Sequence, residues 1–257
     1  MNYPRRIFQT WKSKTIIPQN MAYWQSTWLE YNPKYTYDFW DDADNRAFIV
    51  EHYAWFLPHY DAYNQTIKRV DAIRYFYLYH YGGIYADMDF ECLRSFEDLL
   101  ASAEDKSDVI LCQMRSDNRP EHNTPNAIMI SKPREPFWLF VIYKLLTTNI
   151  SLIPELSTGP VLLKSALELY QESDKNFDNL SWYNELLKKV PQPDNKQRYS
   201  RIGIVSWETF YPIDWRDWHE HTTLRDPVAA HGEIYDKQKV ATLFPKSYAV
   251  TYWVHSW

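Results

Sequence analysis

The sequence predicts an α/β protein: a mostly parallel sheet covered by helices, with a helical subregion in the second half. Two observations carry this. Runs of β-formers and runs of helical periodicity alternate through the first half, as they do in βαβ units. Breakers such as Asn32-Pro33 and Gly82-Gly83 fall between those runs. The chain has 257 residues, 45% of them apolar and 24% charged, enough for one large domain with a real core. Neither an internal repeat nor a long linker divides it, so a single domain over residues 1–257 is expected.

Residues 7–11 are a short β-prone run. Met21, Trp24, Trp28 and Tyr31 then recur at helical spacing, and Asn32-Pro33 stops that helix. Residues 35–40 are rich in β-formers, and Asp41-Asp42 opens a helix, since acidic side chains suit its positive end. Val70, Ile73, Phe76, Tyr77, Leu78 and Tyr81 lay an apolar stripe along the next helix. Gly82-Gly83 follows where glycine relieves the turn that ends a helix. Residues 84–90 read as a strand running into a loop, and residues 109–113 and 127–131 as further strands. Residues 137–146, 161–170 and 181–190 read as helices. The second half is less regular, with a polar loop at 191–196, a strand at 201–205 and an aromatic, β-prone tail at 248–257.

Composition excludes several functions. Only 5 glycines occur, and neither a P-loop nor a GxGxxG pattern is among them. With 28 Lys+Arg against 33 Asp+Glu, the net charge of −5 and the lack of a basic run exclude a nucleic-acid binder. Cys92 and Cys112 are too few for a disulfide scaffold and read as reduced, buried thiols of a cytosolic protein. No four-residue Cys/His zinc set is present. Residues 1–6 have no apolar run behind them, so a secretory signal is not expected, and no run reaches the roughly 18 residues of a membrane span. The reading is a cytoplasmic protein, at most peripheral at the inner face of the cytoplasmic membrane.

Asp87-x-Asp89 is the first candidate for chemistry. At a strand end, alternate residues face one side, so the two carboxylates converge if extended geometry persists. Hard oxygen donors of this kind suit Mg²⁺ or Mn²⁺ beside a phosphate. Asp42-x-Asp44 has the same spacing, but on a helix those positions point apart, and it reads as helix N-terminal charge. Asp71 and Arg74 form an i,i+3 pair, either a surface ion pair or the lining of a polar cleft for sugar hydroxyls.

The whole run from Asp71 to Asp89 resembles the DxD-containing sugar-binding region of glycosyltransferase family 32, the family of yeast initiating mannosyltransferases and many bacterial capsule enzymes. Its pattern, D-x-x-R-Y-x-x-L-y-x-x-G-G-x-Y-x-D-x-D, is present here at every fixed position. Residues 4–11 resemble the family's P-K-x-I-H-Q-x-W, with Phe8 where His is usual. Ser26, Trp28, Asn32-Pro33, Tyr37 and Trp40-Asp41-Asp42 fit as well, as do residues 126–133, 158–160 and 210–212. Residues 248–257 are similar to Y-A-V-H-H-W-x-x-S-W, with Thr251 at the first His.

The resemblance implies a GT-A-like nucleotide-sugar-binding fold and transfer of a hexose from a UDP- or GDP-hexose, with Mn²⁺ (or Mg²⁺) and retention of the α-configuration. It implies a catalytic set of Asp71, Arg74, Asp87 and Asp89. Asp89 would bind the metal directly, and Asp87 through water or through the donor's ribose or sugar. His255 is either close to the metal and diphosphate or structural. Asp71 and Arg74 would hold hexose hydroxyls, with Tyr85 beside the diphosphate or sugar. Phe8, Gln9, Thr10 and Trp11 would flank the nucleobase, near Asp38 and Trp40, with core packing the alternative for the aromatics. Ser256 and Trp257 would complete the donor site, and Asn126 and Gly159 would face the acceptor. That acceptor is expected to be a glycan or lipid-linked glycan in polysaccharide biosynthesis. Trp207, Tyr211, Trp215, Arg216 and Trp218 either touch it or a membrane surface, or fill the core. Two other functions stay open: a sugar-binding protein without catalysis, suggested by Phe8 and Thr251 at family His positions, and an effector that glycosylates a protein.

Overall fold

The computed structural model describes residues 2–114, 123–172, 181–191, 199–214 and 222–254. Among them the strands are β1 (Arg6–Thr10), β2 (Thr36–Trp40), β3 (Gly83–Ala86), β4 (Phe90–Cys92), β5 (Val109–Cys112), β6 (Ile128–Ser131), β7 (Ile202–Val205) and β8 (Ala249–Thr251). The helices of the first half are α1 (Gln19–Tyr31), α2 (Asp42–His52), α3 (Leu57–Ala62), α4 (Thr66–Tyr81) and α5 (Glu97–Ala103). Those of the second half are α6 (Pro136–Thr147), α7 (Pro154–Ser157), α8 (Pro160–Glu172), α9 (Ser181–Leu187), α10 (Thr222–His231) and α11 (Lys237–Leu243).

Six strands form the main sheet in the order β2-β1-β3-β6-β5-β7. β1 runs parallel to β2 and β3, and β5 runs parallel to β7. β6 alone is reversed, antiparallel to both β3 and β5. The sheet is therefore mostly parallel, as expected. Its strands carry apolar residues to both faces, since successive side chains point to opposite sides. Phe8, Tyr85, Val109, Leu111 and Met129 join one core with α4, α6 and α8. Their chain neighbours Ile7, Ile84, Ile110, Ile128 and Ile130 join a second core on the other face. A third, smaller core gathers Trp11, Trp24, Met88, Val240 and Tyr252.

Helix α4 buries eleven of its sixteen residues, among them Lys68, Asp71 and Arg74. It is a central helix covered on several sides, which a single apolar stripe did not announce. Gly82 and Gly83 end it with φ of 63° and 96°, the left-handed region that glycine enters freely. A Cβ at Gly82 would lie 2.6 Å from the Pro133 nitrogen, and one at Gly83 2.6 Å from the Arg6 carbonyl oxygen. The glycines thus let α4 turn at once into the strand that leads to the carboxylates.

Asp42-x-Asp44 proves to be helix capping. Asp41 accepts hydrogen bonds from the Ala43 and Asp44 N–H groups, and Asp44 accepts from the Asp41 N–H and pairs with Lys14.

Residues 84–90 are a strand running into a turn, as expected, with β3 stopping at Ala86; Phe90 then opens β4, which pairs antiparallel with β8, Phe90 opposite Thr251. Two expectations about the second half are corrected. Among the described residues of the tail, the strand is confined to Ala249–Thr251. Tyr211 is fully buried, packed against Phe90 and Trp253, and so does not face a membrane or acceptor; Trp215, Arg216 and Trp218 lie outside the described residues. Cys92 and Cys112 are buried free thiols, as read.

Candidate active site

The site lies at the carboxyl edge of the parallel strands, where open α/β sheets bind ligands. The reversed β6 brings the residue ahead of it, Asn126, to the same edge. There the Asp87 N–H donates to the Ala127 carbonyl at 2.8 Å, continuing the β3–β6 ladder one step, and the Phe90 N–H turns back to the Asp87 carbonyl at 3.3 Å. The extended geometry expected over Asp87-x-Asp89 therefore does not persist. Each carboxylate is held by its own partners.

Asp87 Oδ1 accepts from the Tyr85 hydroxyl at 2.6 Å and lies 3.1 Å from Arg74 Nη1. Arg74 is 1% exposed, with its guanidinium 4.6 Å from the Tyr85 ring centroid. It donates to the Asn126 carbonyl at 2.8 Å and the Val70 carbonyl at 3.2 Å, and its Nη2 lies 3.2 Å from Asp71 Oδ1. Asp71 accepts from Asn126 Nδ2 at 2.9 Å and from the Thr158 hydroxyl at 3.0 Å. The Tyr75 hydroxyl donates to the Thr158 carbonyl at 2.9 Å and receives Asn126 Nδ2 at 3.1 Å. A Cβ at Gly159 would sit 3.3 Å from Asp71 Oδ2, so glycine is what lets α7 and α8 approach this carboxylate. Buried as they are, Asp71 and Arg74 are not a surface ion pair.

Asp89 Oδ2 accepts the Val254 N–H at 3.2 Å. Burial, then the neighbouring Asp87, pushes its pKa up to about 7. Burial raises Asp71 to about 6 against the pull of Arg74, and raises Asp87 as well. Loss of water works against the charge on Arg74, but Asp87, Tyr85 and Asp71 outweigh it and its pKa is raised. Asp71 and Asp87 thus share one guanidinium with Asp89 beside them, leaving excess negative charge at an edge where Asp87 and Asp89 remain partly exposed.

A divalent cation fits that excess and that donor type. Among the described residues no group of three or more His, Cys, Asp or Glu side chains is placed to hold a metal, so water or phosphate oxygens would supply the rest. His255, Ser256 and Trp257 lie outside the described residues.

Of the expected donor residues, Gln9 joins the site through the backbone. Its Nε2 donates to the Asp87 carbonyl at 3.1 Å while the Tyr37 hydroxyl donates to its Oε1 at 2.6 Å. Thr10 binds the Trp40 carbonyl and receives Asn45. Phe8 is 1% exposed, stacked on Tyr77 and Tyr81 with Trp40 edge-on, and Trp11 is 2% exposed with its indole on the Ile16 carbonyl. Both are core residues in this structure, without an open face for a base. Asp38 pairs with Arg6. Thr158, Tyr75 and the Val254 N–H were not singled out from the sequence. Thr158 stood in a family-like segment and Tyr75 at a fixed position of the family pattern, whereas nothing local marks a backbone N–H.

Residues 18–107, which span α4, both glycines and both carboxylates, match the family described as glycosyltransferase sugar-binding region containing DXD motif. This stretch carries the DXD sugar-binding region of that glycosyltransferase family. It is 35% identical over 223 residues to inositol phosphoceramide mannosyltransferase 2 of Schizosaccharomyces pombe, covering 85% of this chain and 59% of that one. It is 34% identical over 181 residues to mannosyl phosphorylinositol ceramide synthase CSH1 of Saccharomyces cerevisiae, covering 68% and 45%. The chain therefore spans about half the length of these curated relatives. Among solved structures, PaToxG Glycosyltransferase aligns with a TM-score of 0.48 at 18% identity, over 72% of this chain and 75% of that one. Asn126, Thr158 and Val254 lie outside the matched region and meet it only in space.

Proposed function

We propose that the chain transfers a hexose from a nucleotide-diphosphate sugar to the carbohydrate headgroup of a membrane lipid, with mannose as the sugar. The observation that carries this reading is the buried Asp71–Arg74–Asp87 network beside Asp89. The names of the relatives, which concern mannosylation of inositol phosphoceramide, support the sugar and move the acceptor from a capsule-type polysaccharide to a lipid headgroup. No helix among the described residues is long and apolar enough to cross a membrane, so the acceptor would be met at the membrane surface.

Asp71 Oδ1 is engaged by both Asn126 and Arg74, whereas Oδ2 receives only the Thr158 hydroxyl and keeps an acceptor position for a sugar hydroxyl. Arg74 fixes Asp71 and Asp87 relative to each other and supplies positive charge beside the diphosphate. Asp89, with Asp87, would hold Mn²⁺ or Mg²⁺, which when bound neutralises charge on the leaving diphosphate. We favour displacement on one face of the sugar, with the α-configuration retained. The bond from the anomeric carbon to the diphosphate breaks as the acceptor oxygen bonds that carbon, and the hydroxyl proton passes to the departing phosphate oxygen. The protein contributes positioning and electrostatics.

The test is to incubate the protein and Mn²⁺ with GDP-mannose, UDP-glucose, UDP-galactose and UDP-N-acetylglucosamine, with and without inositol phosphoceramide vesicles. GDP-mannose should be consumed, faster with vesicles, giving an α-linked product by NMR. If no donor is turned over under any condition, the reading fails in favour of a sugar-binding protein.

A further inference from the structure

Trp253 holds a backbone conformation that bulky side chains avoid, with φ of 55°. Three contacts keep it there. Its indole Nε1 donates to the Ile213 carbonyl at 2.7 Å. Its ring stacks on Tyr211, with centroids 5.6 Å apart and planes 19° from parallel. Its N–H donates to the Thr251 hydroxyl oxygen at 3.1 Å. The turn aims the next N–H, that of Val254, at Asp89 Oδ2, 3.2 Å away. Thr251 pairs with Phe90, the residue after Asp89, across the β4–β8 ladder, which sets its hydroxyl on the Asp89 side of the turn. The strained turn and the short sheet thus converge on one carboxylate from the far end of the chain. Strain concentrated at such a point marks a group whose placement matters.

We propose that residues 251–254 form a hook that presents Asp89 to a divalent cation, with Thr251 and Trp253 as positioning residues. The inference rests on Asp87 and Asp89 being the cation site of the proposed function. A carboxylate offers about four acceptor positions. The Val254 N–H occupies one of them, the Thr251 hydroxyl holds the turn that delivers it by accepting the Trp253 N–H, and the other positions are left for the cation. Trp253 acts at one remove by fixing the turn that delivers the Val254 N–H.

The hydroxyl can be removed without changing side-chain shape. Mn²⁺ is titrated into wild type, Thr251→Val and Thr251→Ser, alone and with saturating GDP, reading the free ion by electron paramagnetic resonance. Metal-free melting is recorded alongside. Thr251→Val should weaken Mn²⁺ binding about tenfold, the scale of one hydrogen bond to a charged group, and Thr251→Ser should stay within about twofold of wild type. Equal affinity in wild type and Thr251→Val overturns the hook and leaves the donor-site reading standing. An equal loss in both variants also overturns it, because the hydroxyl is then irrelevant. A wild-type protein that binds no Mn²⁺ in either condition overturns both readings. If Thr251→Val melts out, Trp253→Phe, which keeps a ring and loses the bond to Ile213, is read in its place: weakened binding supports the hook and unchanged binding overturns it.

Discussion

Two groups of buried acids lie at opposite edges of the same sheet. At the amino edge of β5, Asp108 receives Lys132 Nζ at 2.9 Å, Arg201 Nη2 at 2.8 Å and the Arg201 N–H at 3.0 Å. Burial alone would raise its pKa, but Arg201 and Lys132 outweigh burial and hold it well below the usual carboxylate range. At the carboxyl edge, Asp71 and Asp87 share Arg74 while Asp89 accepts the Val254 N–H, and all three are pushed up. The residue type is the same, and the number of cations separates the two outcomes. Two cations around one acid complete a structural joint. One cation among three acids leaves a site that is electrostatically unfinished, which is what a donor diphosphate with its metal would complete.

This contrast can be broken or sharpened by substitution. The largest effect is expected from Arg74→Met, which strands Asp71 and Asp87 without their cation. It should cost about 3–5 kcal/mol in urea unfolding and abolish transfer. An unchanged urea midpoint would show that the acids are not held as charges. Next, Asp89→Asn should lower kcat/KM by roughly a hundred- to a thousandfold while metal-free melting is retained, because the carboxylate lost there is one the fold does not balance. Transfer near the wild-type rate would remove Asp89 from the reaction.

At the other edge the effects are on stability alone. Asp108→Asn should cost about 3 kcal/mol at neutral pH with kcat unchanged. The folded pKa of Asp108 is depressed, so its stabilisation is present above about pH 4 and lost as pH falls below that; unfolding from pH 2 to 6 should be flatter in the variant. Glu135 has the opposite sign, since burial raises it to about 8. The wild type should lose stability as pH rises from about 4.3, the unfolded value, to about 8, and Glu135→Gln should flatten melting between pH 5 and pH 8. The smallest effect is expected from Gly159→Ala, whose Cβ meets Glu155 Cα at 3.0 Å and Asp71 Oδ2 at 3.3 Å. A loss of about 1 kcal/mol and a raised donor KM would place the tight contact at the sugar end of the site.

Much of the first half was legible because its elements are local. The helix stripe ending in Gly82-Gly83 and the runs at 7–11 and 35–40 declare themselves within a few residues, and each occurs close to where it was read. β4 was not legible, because three residues become a strand only through a partner about 160 positions away. The short helices α3, α5 and α7 were missed for a related reason: a helix of one or two turns shows too little periodicity. At the site, Asp71, Arg74, Asp87 and Asp89 stood out through the family pattern rather than through spacing. The pleat argument for Asp87 and Asp89 failed because the chain turns immediately after the Asp87 N–H has been used. Lys68 illustrates the remaining gap. A lysine on a helix suggests solvent, yet this one is buried and donates to the carbonyls of Ile150 and Leu152, both at 2.7 Å.

The reversed strand β6 has a consequence for how such a site can diversify. In a wholly parallel sheet, only the segments leaving the strands reach the carboxyl edge. Here a segment entering a strand reaches it too, and Asn126 sits where that segment meets the ladder, tied to Asp71 and Arg74. The pairing of β6 with β3 and β5 sets the position of Asn126 from behind. The contacts of Asn126 with Asp71 and Arg74 are therefore kept in register by strand pairing, which separates their upkeep from the length and character of the segment that leads into β6.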